Sequence, residues 1–236
     1  MIGLLTPPRR RGVEILDDPA VDPGLVRRSL ADVARSNTLF GGTRAVIAEI
    51  ASALRALPSA QTDLTLLDVG TGAGDIPRRA ERAARARGVR LTTIGLDASE
   101  TLALATRPSL AAGIRGDALA LPVADRSVDI VLCSQVLHHF PDTEAVRVLR
   151  ELNRVARVRV IVSDIRRSWM AAGGIWIASF PLRFHPVSRH DGVVSVMRGF
   201  TPGELAELVI AAIGRPARVR RRIGFRVTTS WTPEAR

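Results

Sequence analysis

The stretch Leu66-Leu67-Asp68-Val69-Gly70-Thr71-Gly72-Ala73-Gly74-Asp75 constrains this chain more than any other part of it. An apolar run ends in an acid, a glycine-rich turn follows, and an alanine- and arginine-rich segment after the turn has the composition of a helix. Strand, glycine turn and helix form the repeating unit of doubly wound α/β folds, and the glycines let backbone approach a nucleotide-like ligand more closely than a Cβ permits. The spacing is Gly-x-Gly-x-Gly, not the Gly-x-Gly-x-x-Gly that seats a dinucleotide pyrophosphate, which disfavours a nicotinamide-dependent oxidoreductase. Asp68 and Asp75 bracket the turn with negative charge, which suits a cation better than a phosphate, and no Gly-Lys-Ser/Thr makes a P-loop.

Strand and helix patterns then alternate from Leu64 to about Ile165, the mark of a parallel sheet. The second strand, Leu91–Leu96, ends in Asp97, an acid placed to accept from the hydroxyls of a ribose. A third strand ends at Gly116-Asp117-Ala118, where Asp117 could accept from an exocyclic amine of adenine. The fourth, Val128–Cys133, runs into Ser134-Gln135-Val136-Leu137-His138-His139-Phe140.

Taken in order, these segments resemble a class I S-adenosylmethionine-dependent methyltransferase, similar to the group of quinone-biosynthesis C-methyltransferases and small-molecule O-methyltransferases. The residues that carry the resemblance are Asp68–Gly74, Gly95-Leu96-Asp97, Gly116-Asp117-Ala118 with Leu121-Pro122, Ser127–Val131 and Leu137–Phe140. The resemblance implies a Rossmann-like, seven-stranded, mostly parallel sheet with an antiparallel last strand. It implies S-adenosylmethionine as cofactor, with the turn (Asp68, Gly70, Thr71, Gly72, Gly74) under its methionine part. Asp97 and Ala98 would take the ribose, Asp117 and Ala118 the adenine, and Ser134 would also line the site. One departure is plain: the Pro-Gly-Gly turn usual before the fifth strand is replaced by Asn153-Arg154-Val155-Ala156-Arg157, which leaves that strand's start open.

Composition narrows the setting. The chain has 236 residues, 46% of them hydrophobic, enough for one domain with a cap. Residues 1–60 read as an N-terminal tail and helical cap, with helices either side of Phe40-Gly41-Gly42, and residues 61–236 as the methyltransferase domain. Within it residues 166–200 form a lid inserted before a helix whose start, Thr201-Pro202-Gly203-Glu204, spells a capping box. Ala217–Trp231 reads as a closing antiparallel pair. The single cysteine, Cys133, is a buried hydrophobe with no partner for a disulfide, which fits a cytoplasmic location. Neither a leader nor a transmembrane segment is expected. The net charge of +11 arises from 34 arginines and no lysine, which points to coding bias more than to nucleic acid, so no specific nucleic-acid partner is expected. Arg9-Arg10-Arg11 reads as a solvated tail, and Arg218–Arg222 as a charged edge strand.

The expected reaction moves a methyl group to a hydrophobic small molecule (phenolic, polyketide-like or quinone-like) by O- or C-methylation. A phenol holds its proton at neutral pH, so a base is needed. His139 is the first candidate, His138 the second, and His190, beside Asp191 in the lid, the third. Arg183, Arg189 and Arg198 could steady an anionic acceptor. Trp169–Phe180 is either a packed helix or a greasy acceptor wall, with a weak membrane-surface contact as a further option. No metal ligands stand at recognisable spacing. Alternatives are a catalytically silent binding module of the same fold and an RNA methyltransferase; a homodimer is left open.

Overall fold

The computed structural model describes residues 6–18, 20–58, 61–100, 102–103 and 110–234. The leader expectation falls partly, and the domain boundary at residue 60 directly, outside these residues.

Seven strands form one sheet: β1 Asp63–Val69, β2 Arg90–Asp97, β3 Ala112–Arg115, β4 Val128–Ser134, β5 Ala156–Ile165, β6 Val219–Arg222 and β7 Arg226–Trp231. Their order is β3-β2-β1-β4-β5-β7-β6. The first five run parallel, and β7 lies antiparallel to both β5 and β6, the closing pair expected from the sequence. Seven α-helices accompany them among the described residues: α1 Pro23–Leu39, α2 Gly42–Arg55, α3 Asp75–Arg85, α4 Asp142–Val155, α5 Trp169–Ser179, α6 Pro186–Arg198 and α7 Pro202–Ile213.

The central strand shows why the sequence folds this way. Every residue of β4 is buried, as a parallel strand covered on both faces requires. Ile130 and Leu132 pack with Val46 and Ile50 of α2 and Ala80 of α3. Val131 and Cys133 turn the other way, into a cluster with Leu149 and Leu152 of α4 and Leu205 of α7. Each fully buried leucine or isoleucine there contributes about 1.5–3 kcal/mol. The capping box at the start of α7 forms as expected, Thr201 Oγ1 accepting from Glu204 N and Glu204 accepting from Thr201 N.

The start of β5 is resolved. α4 ends at Val155 and β5 begins at Ala156, with no turn between them. Pairing steps from Val128↔Ala156 to Ile130↔Arg159, so β5 carries one extra residue in a bulge. There Arg157 folds back onto Asp129, Nη2 to Oδ1 at 2.6 Å.

One N-terminal expectation needs correction, and one open choice is narrowed. Arg9–Arg11 is no solvated tail: residues 7–17 form a strap across α6. Arg10 N donates to Met197 O (3.1 Å), Ile15 N and Leu16 N donate to the Asp191 carboxylate (2.9 and 3.0 Å), and Arg9 lies 4.2 Å over the Phe200 ring. These partners lie more than a hundred residues away in sequence, beyond the reach of local patterns. In α5, Trp169, Trp176, Ile177 and Phe180 face outward, while Ala171, Ala172 and Ile175 face the body; the tryptophans do not form an acceptor wall.

At the sheet edge, Arg220 and Arg222 of β6 converge on Glu49 of α2, whose side chain is 1% exposed. The β6–β7 turn packs so closely on the α1–α2 corner that a Cβ on Gly224, φ 76°, would collide with Phe40 O.

Candidate active site

A cavity of about 1070 Å³ opens at the carboxyl ends of the parallel strands, where ligands bind in doubly wound sheets. Of the residues expected to hold a cofactor, it is lined by Asp68, Gly70, Thr71, Gly72, Asp97, Ala98, Asp117, Ala118 and Ser134. Gly74 is the exception. It sits off the cavity wall as the left-handed N-cap of α3, φ 67°, and its task is to start that helix.

The turn is built from backbone. Gly70 N and Thr71 N both donate to Leu96 O, at 2.8 and 3.0 Å, which pins the turn to the end of β2. Gly70 has φ 74°, and a Cβ there would run into the Val136 side chain, so glycine is required by conformation and by space. Asp97 accepts from Gly72 N (3.1 Å) and Ser99 N (3.0 Å). With four lone-pair positions, the carboxylate keeps capacity for a ligand hydroxyl. Burial pushes the Asp97 carboxyl above its ordinary value despite those bonds. Asp117 accepts from Leu119 N at 2.8 Å and stays exposed at the rim, with Ala118 buried beside it.

Asp68 is buried, and burial pushes its carboxyl up to about 8. Asp68 Oδ1, Asp75 Oδ2, Thr71 Oγ1 and Ser134 Oγ are buried atoms without a hydrogen-bond partner. Orphaned buried polar atoms are costly and rare, so their grouping around one glycine turn marks a surface shaped for a polar ligand. Two acids below the turn and an acid at the end of β2 fit a molecule carrying an ammonium group and a ribose. The residues present therefore fit S-adenosylmethionine.

The other half of the cavity comes from distant segments. His138 is buried at the end of β4, in the short 3-10 turn Leu137–His139. Its backbone N donates to Asp164 Oδ2 (3.2 Å), and its Nδ1 lies 2.7 Å from Asp164 Oδ1, at the end of β5. Asp164 is fully buried; burial alone would raise its carboxyl, but His138 and the Ile165 amide hold it below the ordinary range. With Nδ1 committed to a carboxylate, the tautomer that leaves Nε2 as an acceptor is selected. That Nε2 is buried and makes no hydrogen bond, with Glu14 Oε1 standing 3.9 Å away.

His139 is differently employed. Its side chain is 33% exposed, and its Nδ1 lies 3.1 Å from both Asp17 Oδ1 and Arg198 Nη1. Burial disfavours its charge, yet Asp17 and Glu14 outweigh that and raise its pKa; Asp17 falls to about 2, its own burial cost outweighed by His139 and Arg198. Arg198 is the hub of the strap, donating to Gly12 O (2.8 Å) and pairing with Glu14 (3.2 Å) and Asp17 (2.8 Å). Glu14, His138 and His139 bring ligand-type atoms within 4.8 Å of one another, and the cation this cluster holds is the Arg198 guanidinium.

The remaining sequence candidates lie elsewhere. His190 is half exposed, bonded to Asp191 (2.8 Å) and off the cavity wall. Arg189 stacks 3.7 Å over Phe180, Arg183 is not on the wall, and Arg198 serves the strap, so none of the three arginines faces an acceptor. Of residues the sequence did not single out, Glu14, Asn37 and Arg226 are buried along the same cavity, and Asp164 is buried behind His138. Asp164 carried one signal, as an acid closing an apolar strand like Asp68 and Asp97.

Comparison with known proteins agrees with this geometry. Residues 67–162 match a family described as a methyltransferase domain. Among solved structures, a SAM-dependent methyltransferase from Aquifex aeolicus superposes with a TM-score of 0.55 at 17% identity, over 81% of this chain and 89% of that one. A possible histamine N-methyltransferase from Thermotoga maritima gives 0.56 at 16%, over 89% and 99%. Magnesium protoporphyrin IX methyltransferase from Synechocystis, with bound SAM, gives 0.52 at 15%, over 93% and 88%. No described helix is long and apolar enough to cross a membrane. The glycine turn, the acid-tipped strands and the matched domain agree: residues 67–162 are similar to a methyltransferase domain, and the fold is that of S-adenosylmethionine-dependent methyltransferases.

Proposed function

We propose that the chain methylates a hydrophobic small molecule, phenolic, polyketide-like or quinone-like, at oxygen or carbon, with His138 as general base and Asp164 as its positioning residue. The observation that carries this reading is His138 itself, a residue of the cavity that the glycine turn also lines, with Nδ1 held by Asp164 and Nε2 free of any hydrogen bond. The cofactor, when bound over Asp68, Gly70, Gly72 and Asp97, supplies a methyl group already activated on a sulfonium. What remains for the chain is to align the acceptor, keep water out, and take its proton. An acceptor hydroxyl with a pKa of about 10 is little ionised at neutral pH, so transfer of its proton to Nε2 as the oxygen gains the methyl removes the unfavourable charge. Asp164 stabilises the imidazolium that forms. Apolar support comes from Val136, Phe140, Ile165, Ile175 and Phe184.

The test is methyl transfer to a panel of phenols, quinols and 1,3-dicarbonyl compounds. His138→Ala is expected to lower kcat by about 10²–10⁴ with cofactor affinity kept, while His139→Ala changes kcat by less than about tenfold. Equal losses in both variants, or none in His138→Ala, reject the assignment.

A further inference from the structure

Arginine is plentiful in this chain, but three of its arginines stand out as buried: Arg167, Arg198 and Arg226, at 4, 8 and 5% exposure. Two are saturated. Arg167 pairs with both oxygens of Glu204 and donates to Pro7 O and Gly199 O. Arg198 has its strap partners.

Arg226 is starved. Its Nε is buried without a partner, its Nη2 reaches Asn37 Oδ1 only at 3.5 Å, and no carboxylate stands within 4.0 Å among the described residues. Burial depresses its pKa to about 10, and the nearby Asp164 offsets this only in part. A buried guanidinium left unpaired is expensive, and a fold keeps one where a ligand completes it.

Placement supports this. Arg226 opens β7, paired with Ile165 at the end of β5, and lines the cavity. Asn37 Oδ1 also accepts from Gln135 Nε2 at 2.5 Å. Gln135 follows β4 with φ 58°, a left-handed conformation that a non-glycine residue adopts at some cost and that is seen where function holds it. Three residues from α1, the β4 loop and β7 thus form one polar corner of the cavity. The cavity's other arginine, Arg115, is exposed and paired with Glu100.

We infer that Arg226, steadied by Asn37 and Gln135, is the anchor for a carboxylate carried by a ligand of this cavity. The planar fork of a guanidinium matches a carboxylate in geometry and charge. This rests on the methyltransferase reading, under which two molecules could bring that group: the cofactor, through its amino-acid end, or an acidic acceptor.

Calorimetry separates the sources and uses no turnover. S-adenosylhomocysteine carries the carboxylate, whereas 5′-methylthioadenosine keeps the adenosyl thioether and lacks the amino acid. If the cofactor is the source, Arg226→Gln binds S-adenosylhomocysteine about tenfold or more weakly and methylthioadenosine unchanged. If the acceptor is the source, S-adenosylhomocysteine binding holds. The saturated wild-type protein then prefers 4-hydroxybenzoate to its methyl ester, and Arg226→Gln loses the preference while Arg226→Lys keeps part of it. Either result supports the anchor. The melting temperature of ligand-free Arg226→Gln is expected at or above wild type, since an unpaired buried charge is removed; a fall of several degrees would mark a structural arginine and overturn the inference. Unchanged S-adenosylhomocysteine affinity, with no preference for the acid in wild type, would overturn it too. Failure of wild type to bind methylthioadenosine would instead count against the adenosyl site beneath it.

Discussion

The two halves of the cavity are made in different ways. The cofactor half is one continuous turn, Asp68 to Asp75, plus the tips of β2 and β3, and its shape is set by backbone: Gly70 and Thr71 amides on Leu96 O, and the Gly72 amide on Asp97. The half proposed for the acceptor is assembled from side chains that the fold gathers from across the chain: Glu14 and Asp17 from the strap, Asn37 from α1, His138 after β4 with Asp164 behind it, Arg226 from β7. A backbone-made site tolerates change in most side chains but not in glycine. A side-chain-made site can be rebuilt one residue at a time.

The largest expected effect tests the second half. Asp164→Asn frees the His138 ring to turn and to adopt the other tautomer, and kcat should drop by about 10²–10⁴ with cofactor affinity held within a factor of about two. A loss confined to KM would place Asp164 in binding and erase the contrast. Next comes the first half: Gly70→Ala forces a side chain into φ 74° and against Val136. The conformational cost of about 1–2 kcal/mol plus the clash should weaken S-adenosylhomocysteine by about tenfold to a hundredfold. Adding Val136→Ala should return part of it.

The strap can be opened separately. Arg198→Ala removes the cation shared by Glu14, Asp17 and Gly12 O, and amide hydrogen exchange in residues 10–17 should quicken about tenfold while the glycine turn stays protected. Asp68 gives the pH test. A carboxyl raised to about 8 in the folded protein favours the protonated form, so its stabilising contribution is complete below the unfolded value of about 3.9 and is lost as pH rises through about 8. Asp68→Asn should therefore melt a few degrees above wild type at pH 9 and converge with it near pH 4, while binding cofactor more weakly. Smallest of all, Thr201→Ala, outside both halves, should cost about 1 kcal/mol of stability through the lost cap and leave binding alone.

How much could be read in the sequence follows the same division. The sheet, its order of strand types and the glycine turn were legible because each is local: an apolar run, a conformation only glycine accepts, an acid at the strand tip. The capping box was legible for the same reason. Among the cofactor candidates Gly74 alone stands off the cavity wall, because a third glycine in such a turn serves equally well to begin the helix. The acceptor half was mostly hidden. The proposal of His138 in place of His139 rests on contacts the sequence does not show: Asp17 and Arg198 occupy the latter and Asp164 orients the former. Arg226 was one arginine among 34, and only its burial without a partner distinguishes it. The strap carried no periodic signal, since apart from the single 3-10 turn Ile15–Asp17 its bonds run to α6 and the histidine turn.

The strap has a practical consequence for redesign. Glu14, Leu16 and Asp17 reach the cavity wall from a segment that contributes no strand to the sheet. Exchanging residues 6–18 for the equivalent stretch of another chain of this architecture, together with its Arg198 counterpart, would be a way to reshape what the catalyst accepts while leaving its methyl-donor machinery as it is.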